Sequence, residues 1–365
     1  MMRPPTPTPI TQIRAQHLDQ LAAHVRTLYQ QPRLRHLFLE LTLRCNERCF
    51  HCGSSCTAAP AQGELTLPEW RRVLDEVRAD FADDLPMLCV TGGEPLLYED
   101  FFPLMEYARD LGFRWGMTSN ATLITPEVAT RLAQAGMGTI SVSIDGLPAT
   151  HDRLRATPGG YERAMAGIQC LIDTHSFRAV QVTTVINHET MDELDELFCI
   201  MDGIDIDSWR VIGLEPIGRA RLFPQRLLTH DDQRKLFAFV RDKRDQGYPL
   251  TSGCSHYLGL EWETEVRDWY WMCNAGICTA SVMSNGDIGA CLDIERRPET
   301  IQGNVRSMRL SQAWRDGFGL FRRDLSDGCA ACRACDHVDW CRGGAHHSWD
   351  YDASRPLICL KDVLF

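Results

Sequence analysis

Three cysteines stand within eight residues, in the run Cys45-Asn-Glu-Arg-Cys49-Phe-His-Cys52. Thiolates so close can converge on one metal centre. A structural zinc wants four ligands, and Cys56 or His51 would have to supply the fourth. A three-cysteine loop instead suits a cubane iron–sulfur cluster with one iron left open for a substrate or cofactor. A second set lies far downstream: Cys273, Cys278 and Cys291, then Cys329, Cys332, Cys335, Cys341 and Cys359. Nine of the sixteen cysteines fall between residues 254 and 359, where periodic apolar faces are few. Such a segment usually needs metal to hold it together. A zinc ribbon is the rival reading there, because paired CxxC units are common zinc ligands. Of the other cysteines, Cys89 and Cys170 sit in apolar strand and helix patterns and read as inert core. Cys56 reads as a bystander near the first loop, and Cys199 and Cys254 carry no signal.

The elements that must position these residues are legible as alternating periods. Residues 1–12 are Pro- and Thr-rich and read as a mobile tail. Residues 13–31 carry Ile13, Leu18, Leu21, Val25 and Leu28 at helical spacing. Leu37, Leu39, Leu41 and Leu43 alternate as a strand that runs into Cys45. Thr66-Leu67-Pro68-Glu69 is a capping box that opens a helix to about Asp80. Strands are predicted at Met87–Thr91, Phe113–Thr118, Thr139–Ile144, Val180–Val185 and Trp209–Ile212. Helices are predicted from Phe101, from Thr125-Pro126, over Tyr161–Asp173 and over Met191–Met201. These six strand–helix alternations, from about 36 to about 235, imply an α/β domain of parallel strands with helical crossovers. Periodicity alone does not choose between an open sheet and a partial barrel. Asp231–Asp245 is a charged helix, and the tryptophans at 262, 269 and 271 read as packing.

Length and composition bound the rest. The 365 residues suggest two or three domains. With 44% hydrophobic and 24% charged residues the chain is globular, not disordered. A net charge of −11 lacks the footprint of a general nucleic-acid binder. No apolar run is long enough to span a bilayer, and MMRPPTPTPITQ lacks the apolar core of a signal peptide. The expected compartment is the cytoplasm, where many cysteines mean metal or catalysis more often than disulfides.

The C-x3-C-x2-C loop after the first strand of a β/α domain resembles that of the radical S-adenosylmethionine enzymes. The resemblance covers residues 36 to about 220 and implies a partial (β/α)6 TIM-like barrel. It implies a [4Fe–4S] cluster on Cys45, Cys49 and Cys52 whose open iron chelates S-adenosylmethionine. Phe50 matches the hydrophobic residue beside the adenine. Gly92-Gly93-Glu94-Pro95 matches the GGEP motif, with Glu94 on the methionine ammonium. Ser119 and Asn120, then Ser143 and Asp145, close two strands where the ribose or carboxylate binds. Arg155 would pair with that carboxylate, and Glu215, in Leu214-Glu215-Pro216-Ile217-Gly218, would lie near the adenine.

The downstream cysteines resemble the SPASM extension, which carries two auxiliary [4Fe–4S] clusters. Residue by residue, one takes Cys332, Cys335, Cys341 and Cys359, and the other Cys273, Cys278 and Cys291. The pattern has a cysteine four residues after Cys341, where this chain has Ala345. That leaves the second set with an open iron unless Cys329, His346 or His347 fills it. The implied domains are a tail and helix (1–35), the barrel (36–235), a bridging region (236–270) and the Fe–S module (271–365).

The chemistry implied is reductive cleavage of S-adenosylmethionine and removal of a hydrogen atom from a peptide or protein. The first expectation is a maturase of a ribosomally made peptide that forms a crosslink or an oxidised residue. A separate leader-binding protein and an electron donor such as flavodoxin or ferredoxin would be partners, with no membrane and no nucleic acid. No separate leader-binding domain is expected before residue 36, where the space is short for one. The alternatives are a sulfatase- or tetrapyrrole-maturing enzyme, with Asp293 as a candidate base, and a zinc-stabilised binding protein without catalysis. Replacing Cys45, Cys49 and Cys52 by Ala is expected to abolish release of 5′-deoxyadenosine under anaerobic reducing conditions. Release at the wild-type rate would refute the assignment.

Overall fold

The computed structural model describes residues 9–253 and 256–365. The expected mobile tail lies partly outside them, as does Cys254. From Pro9 onward the chain is already helical: α1 runs Pro9–Gln30. Its apolar stripe buries Leu18, Val25 and Leu28 against Tyr257, Trp271, Ile277 and Cys278. Polar ties fix the same packing, with Tyr29 Oη donating to Asp324 at 2.9 Å and Trp340 Nε1 to Asp19 at 2.7 Å. The first helix therefore clamps the C-terminal segment.

Seven parallel strands follow: β1 (His36–Glu40), β2 (Met87–Thr91), β3 (Trp115–Ser119), β4 (Met137–Ser143), β5 (Ala179–Ile186), β6 (Ser208–Gly213) and β7 (Leu250–Ser252). They lie in chain order, with β7 at one edge of the sheet. Between them pack α2 (Leu67–Asp80), α3 (Phe101–Asp110), α4 (Pro126–Gln134), α5 (Pro148–Arg155), α6 (Gly160–Asp173), α7 (Leu194–Asp202) and α8 (His230–Asp245). The right-handed crossover of each βα unit puts every strand's C-terminal end on one rim. The capping box of α2 is formed, with Thr66 N donating to Glu69 Oε2 at 2.8 Å. The core between sheet and helices buries Leu37, Leu39, Leu88, Val90, Val142, Val182 and Val211, with Trp70, Trp115 and Trp209.

Four features differ from the periodic reading. The strand that alternation carried to Leu43 ends at Glu40, because Thr42 and Leu43 turn to bond Glu64. The helix expected from Met191 begins as a 3-10 turn over His188–Glu193, capped by Asn187. Helix α5 was not foreseen, since its short run PATHDRLR has no apolar stripe. Trp269 stays half exposed, whereas Trp262 packs on the main core and Trp271 is buried.

The C-terminal segment extends the sheet. Strand β8 (Thr279–Val282) pairs in parallel with β1, and β9 (Asp287–Gly289) and β10 (Gly303–Asn304) follow antiparallel. Glu40, fully buried at the end of β1, accepts from Ser284 N at 3.2 Å and pairs with Arg296. Upstream, Glu263 and Arg267 form a buried ion pair, and Glu263 also accepts from Leu258 N and Trp271 N. Leu39 is completely buried between these layers. Leu39→Ala is expected to cost ~2–5 kcal/mol, read as a lowered denaturant midpoint.

Candidate active site

The loop from Cys45 to Cys52 leaves the C-terminal end of β1 and is sewn to its surroundings by backbone bonds. Cys45 N donates to Thr57 O at 2.7 Å, Arg48 N to Arg155 O at 3.0 Å, and Phe50 N to Leu154 O at 3.1 Å. All three cysteines are half-buried. Burial pushes the Cys45 thiol up to about 11 and raises Cys49 as well. Cys52 is different. The Cys56 side chain, and then its N–H 3.4 Å from the Cys52 sulfur, hold this thiol low, while Cys56 is itself pushed up by Cys52 and by burial. Cys56 Sγ also lies 3.5 Å from Gly92 O, so this residue joins two loops of the site.

A buried charge network fixes the loop. Arg155 Nη1 lies 2.6 Å from Glu47 Oε2, and its Nη2 lies 2.6 Å from Asp145 Oδ2. His51 Nε2 reaches the same Asp145 oxygen at 2.9 Å, and Val185 N donates to Asp145 Oδ1 at 2.9 Å. Burial opposes the charge on Asp145, but Arg155 and then His51 outweigh it and hold the carboxyl well below the usual range. Burial likewise opposes the Arg155 charge, and Asp145, Cys49 and Glu47 raise its pKa. The structure thus gives Asp145 and Arg155 a task the sequence did not show: they anchor the cysteine loop through Glu47 and His51.

The Gly92-Gly93-Glu94-Pro95 turn lies against that loop. Gly93 N donates to Thr42 O at 2.7 Å and Glu94 N to Arg44 O at 2.9 Å. A Cβ on Gly92 would stand 2.3 Å from Thr42 O, and one on Gly93 2.1 Å from Arg44 O. Only glycine allows this approach. Glu94 is completely buried. Its carboxylate accepts from Ser119 Oγ at 2.9 Å and from Asn120 N at 2.9 Å. Burial nevertheless raises its pKa to about 7. Pro95 starts the short turn that follows. Asn120 Nδ2 donates to Asn46 Oδ1 at 2.8 Å, tying the end of β3 to the cysteine loop. Ser143 ends β4, half-buried. Phe50 meets Phe223 edge-on, and the Arg226 guanidinium lies 4.4 Å over its ring.

The loop after β6 closes the other side. A Cβ on Gly218 (φ +49°) would stand 2.3 Å from both Cys52 O and Gly53 O. Arg219 Nε donates to Cys49 O at 2.8 Å and Nη1 to Cys56 O at 2.7 Å. Sequence reasoning missed Arg219, although its place just after the Gly218 turn was a usable signal. Glu215 faces the C-terminal segment. Its carboxylate lies 3.0 Å from His347 Nε2 and 3.3 Å from His256 Nε2. Burial opposes the Glu215 charge, yet His256 and His347 hold it well below the usual range. Burial also opposes the His347 charge, and Glu215 raises its pKa. Asp293 stands beside this group, with Oδ1 3.2 Å from where a Cβ on Gly53 would be. Burial raises its pKa, His347 and Arg210 pull it down, and Glu215 pushes it up. Asp293, Ile217 and Gly53 share the lining of a cavity of about 310 Å³.

Downstream, Cys329, Cys332, Cys335, Cys341 and Cys359 all line one cavity of about 330 Å³, together with His256 and Tyr257. Five thiols on one cavity are the donor type an iron–sulfur cluster takes, although among the described residues no three such groups stand together as a ready metal site. Cys329, left open by the sequence, belongs here, and its Sγ accepts from Cys332 N at 3.2 Å. Cys273 and Cys291 both pack against the main core, Cys291 being raised by burial, then by Asp293 and by Cys273. Cys278, expected beside them, is buried instead against Val25, Leu28 and Ile277.

The anchor is testable without any cofactor. Removing one partner of a buried ion pair costs ~3–5 kcal/mol, so Arg155→Met should destabilise the apo-protein by that amount in denaturant titrations at pH 7. Asp145 has a folded-state pKa below its unfolded one. Its contribution to stability is therefore present above about 3.9 and lost as pH falls through the folded value. The wild type should keep this margin from pH 5 upward.

Comparison with known proteins agrees with this geometry. Residues 39–198 match the model of the Radical SAM superfamily. The AdoMet-dependent heme synthase of Methanosarcina barkeri is 30% identical over 321 residues, 83% of this chain and 89% of that one. The mycofactocin maturase MftC of Mycobacterium tuberculosis is 30% identical over 314 residues, 84% of this chain and 76% of that one. Two solved structures share the fold at 18% identity. SuiB of Streptococcus suis bound to S-adenosylmethionine has a TM-score of 0.67 over 87% of this chain and 74% of that one. The anSMEcpe enzyme with bound AdoMet has a TM-score of 0.69 over 90% and 94%. Among the described residues no helix is long and apolar enough to cross a membrane. The zinc-stabilised, non-catalytic reading is set aside, because the chain belongs to the radical S-adenosylmethionine superfamily of enzymes, in its SPASM-type subgroup.

Proposed function

We propose that this enzyme removes a hydrogen atom from a peptide substrate and acts as a maturase of a ribosomally made peptide. The observation that carries this reading is its likeness, over 84% of the chain, to the mycofactocin maturase of Mycobacterium tuberculosis. When bound, the cluster and S-adenosylmethionine supply one-electron cleavage to methionine and a 5′-deoxyadenosyl radical. The residues of this chain do the rest. Cys45, Cys49 and Cys52 hold the cluster. Glu94 accepts from the methionine ammonium, and Gly92 and Gly93 let the backbone approach. Phe50 packs beside the adenine, and Ser119, Asn120 and Ser143 line the rim. Asp145 and Arg155 keep the loop in place. Cys332, Cys335, Cys341 and Cys359, with Cys329 adjoining, hold an auxiliary cluster. Glu215, His347, His256 and Asp293 present buried acid–base groups between the two regions, where they can take up or return a proton on the substrate. A leader-binding protein and a flavodoxin- or ferredoxin-type donor are the proposed partners.

A second reading, maturation of a tetrapyrrole, is favoured by the Methanosarcina barkeri heme synthase, which this chain matches over 89% of that protein's length. Anaerobic turnover separates the two. Formation of 5′-deoxyadenosine with a mass change in a short peptide encoded beside this chain's gene supports the first. Turnover only with a porphyrin precursor supports the second. At the coenzyme, Glu94→Gln removes a charge-assisted hydrogen bond worth ~1.5–3 kcal/mol. S-adenosylmethionine should then bind roughly ten-fold more weakly or worse, by calorimetry on the reconstituted enzyme. Unchanged affinity would remove Glu94 from the site.

A further inference from the structure

The C-terminal cysteines divide unequally. Five of them line a single cavity. Cys254 lies outside the described residues, and among the described ones Cys273, Cys278 and Cys291 do not come together as a second set. Cys278 immediately precedes β8, and its carbonyl accepts from Arg35 N at 2.9 Å and His36 N at 3.1 Å. The register is then fixed residue by residue, from His36 opposite Thr279 to Leu39 opposite Val282. Side chains alternate across a strand, so a one-residue slip would turn every one of them to the other face. That slip would unpair Ser281 and Val282 from β9 as well as from β1. The Cys278 side chain is thereby held in the apolar contact with α1, 2% exposed. The charges acting on its thiol are Arg35 and Arg33.

Cys273 and Cys291 remain, with Ala345 at the position where the SPASM pattern has a cysteine. The two neighbouring histidines face other groups, His347 standing beside Glu215 and Asp293 with, among the described residues, no cysteine acting on it. His346 Nδ1 lies 3.0 Å from Tyr351 Oη and its ring meets Phe321 edge-on, while His347 Nε2 bonds Glu215. A cubane takes four protein ligands, or three when one iron is left open. Among the described residues two thiols remain for it, and two do not meet that demand.

We infer that this chain carries two cubane clusters and not three, because the β8–β1 register withdraws Cys278 from the pair Cys273 and Cys291. The inference rests on reading the five-cysteine cavity as a cluster site, and the experiment tests the two separately. Full-length protein is reconstituted anaerobically with iron and sulfide, and iron, acid-labile sulfide and Mössbauer areas are measured per folded chain. Two cubanes give about eight irons and three give about twelve. The Cys45→Ala/Cys49→Ala/Cys52→Ala variant should keep about four irons, and about eight would overturn the inference. Cys278→Ala and Cys273→Ala/Cys291→Ala should keep the wild-type iron content. Loss of about one-third of the iron from either would overturn the inference. Cys332→Ala/Cys341→Ala should lose about half, and no loss would overturn the reading of the cavity itself. If the paired variants do not fold, the wild-type count and the radical-loop variant decide the question alone.

Discussion

The fork of Arg155 between Glu47 and Asp145 is the interaction on which the site depends. Asp145 lies two residues beyond β4, Arg155 ends α5 and Glu47 belongs to the cysteine loop. A guanidinium presents two nitrogens to two carboxylates in a rigid planar fork, whereas a lysine offers one nitrogen on a flexible stem. Three buried charges would be costly alone. Together, with His51 completing the set, they pair off and leave the loop one position on the rim of the sheet. Phe50 inherits that position through its backbone bond to Leu154 of α5, while Gly93 and Glu94 bond Thr42 and Arg44, just before the loop begins.

The barrel was open to sequence reasoning where period and capping agreed. Met87–Thr91 and the Thr66 capping box lie where alternation and chemistry placed them. The cysteine loop and the glycines of the turn were equally legible, since their spacing is local. What stayed hidden depends on pairing across long distances. Nothing in Thr279–Val282 announces that it will lie beside His36–Leu39, and so nothing in the Cys273-x4-Cys278 spacing announces which way Cys278 faces. Nor does Glu215 signal that two histidines from separate segments will converge on it. Asp145 and Arg155 were found as residues, but their partners Glu47 and His51 were invisible without the fold.

The polar group around Glu215 gives the two halves of the chain a common interior. His256 stands at once against Glu215 and in the lining of the five-cysteine cavity, and Asp293 reaches toward Gly53 beside the cysteine loop. Charged groups held together in this way are tuned by one another, and they lose that tuning if either half shifts. The acidic balance of the chain is thus no guide to this region, where cations and carboxylates are matched within a few ångströms.

The pairing of β8 with β1 also sets the order of assembly on the ribosome. The first strand has both its neighbours only once a segment some 240 residues later has been synthesised. Contacts that distant form late, because the intervening chain must first be ordered. Until then β1 is an edge, and the cysteine loop at its end hangs from an unfinished frame. Metal delivered to this loop during translation would meet a site without its final neighbours. The loop gains its complete surroundings only once the whole chain is in place.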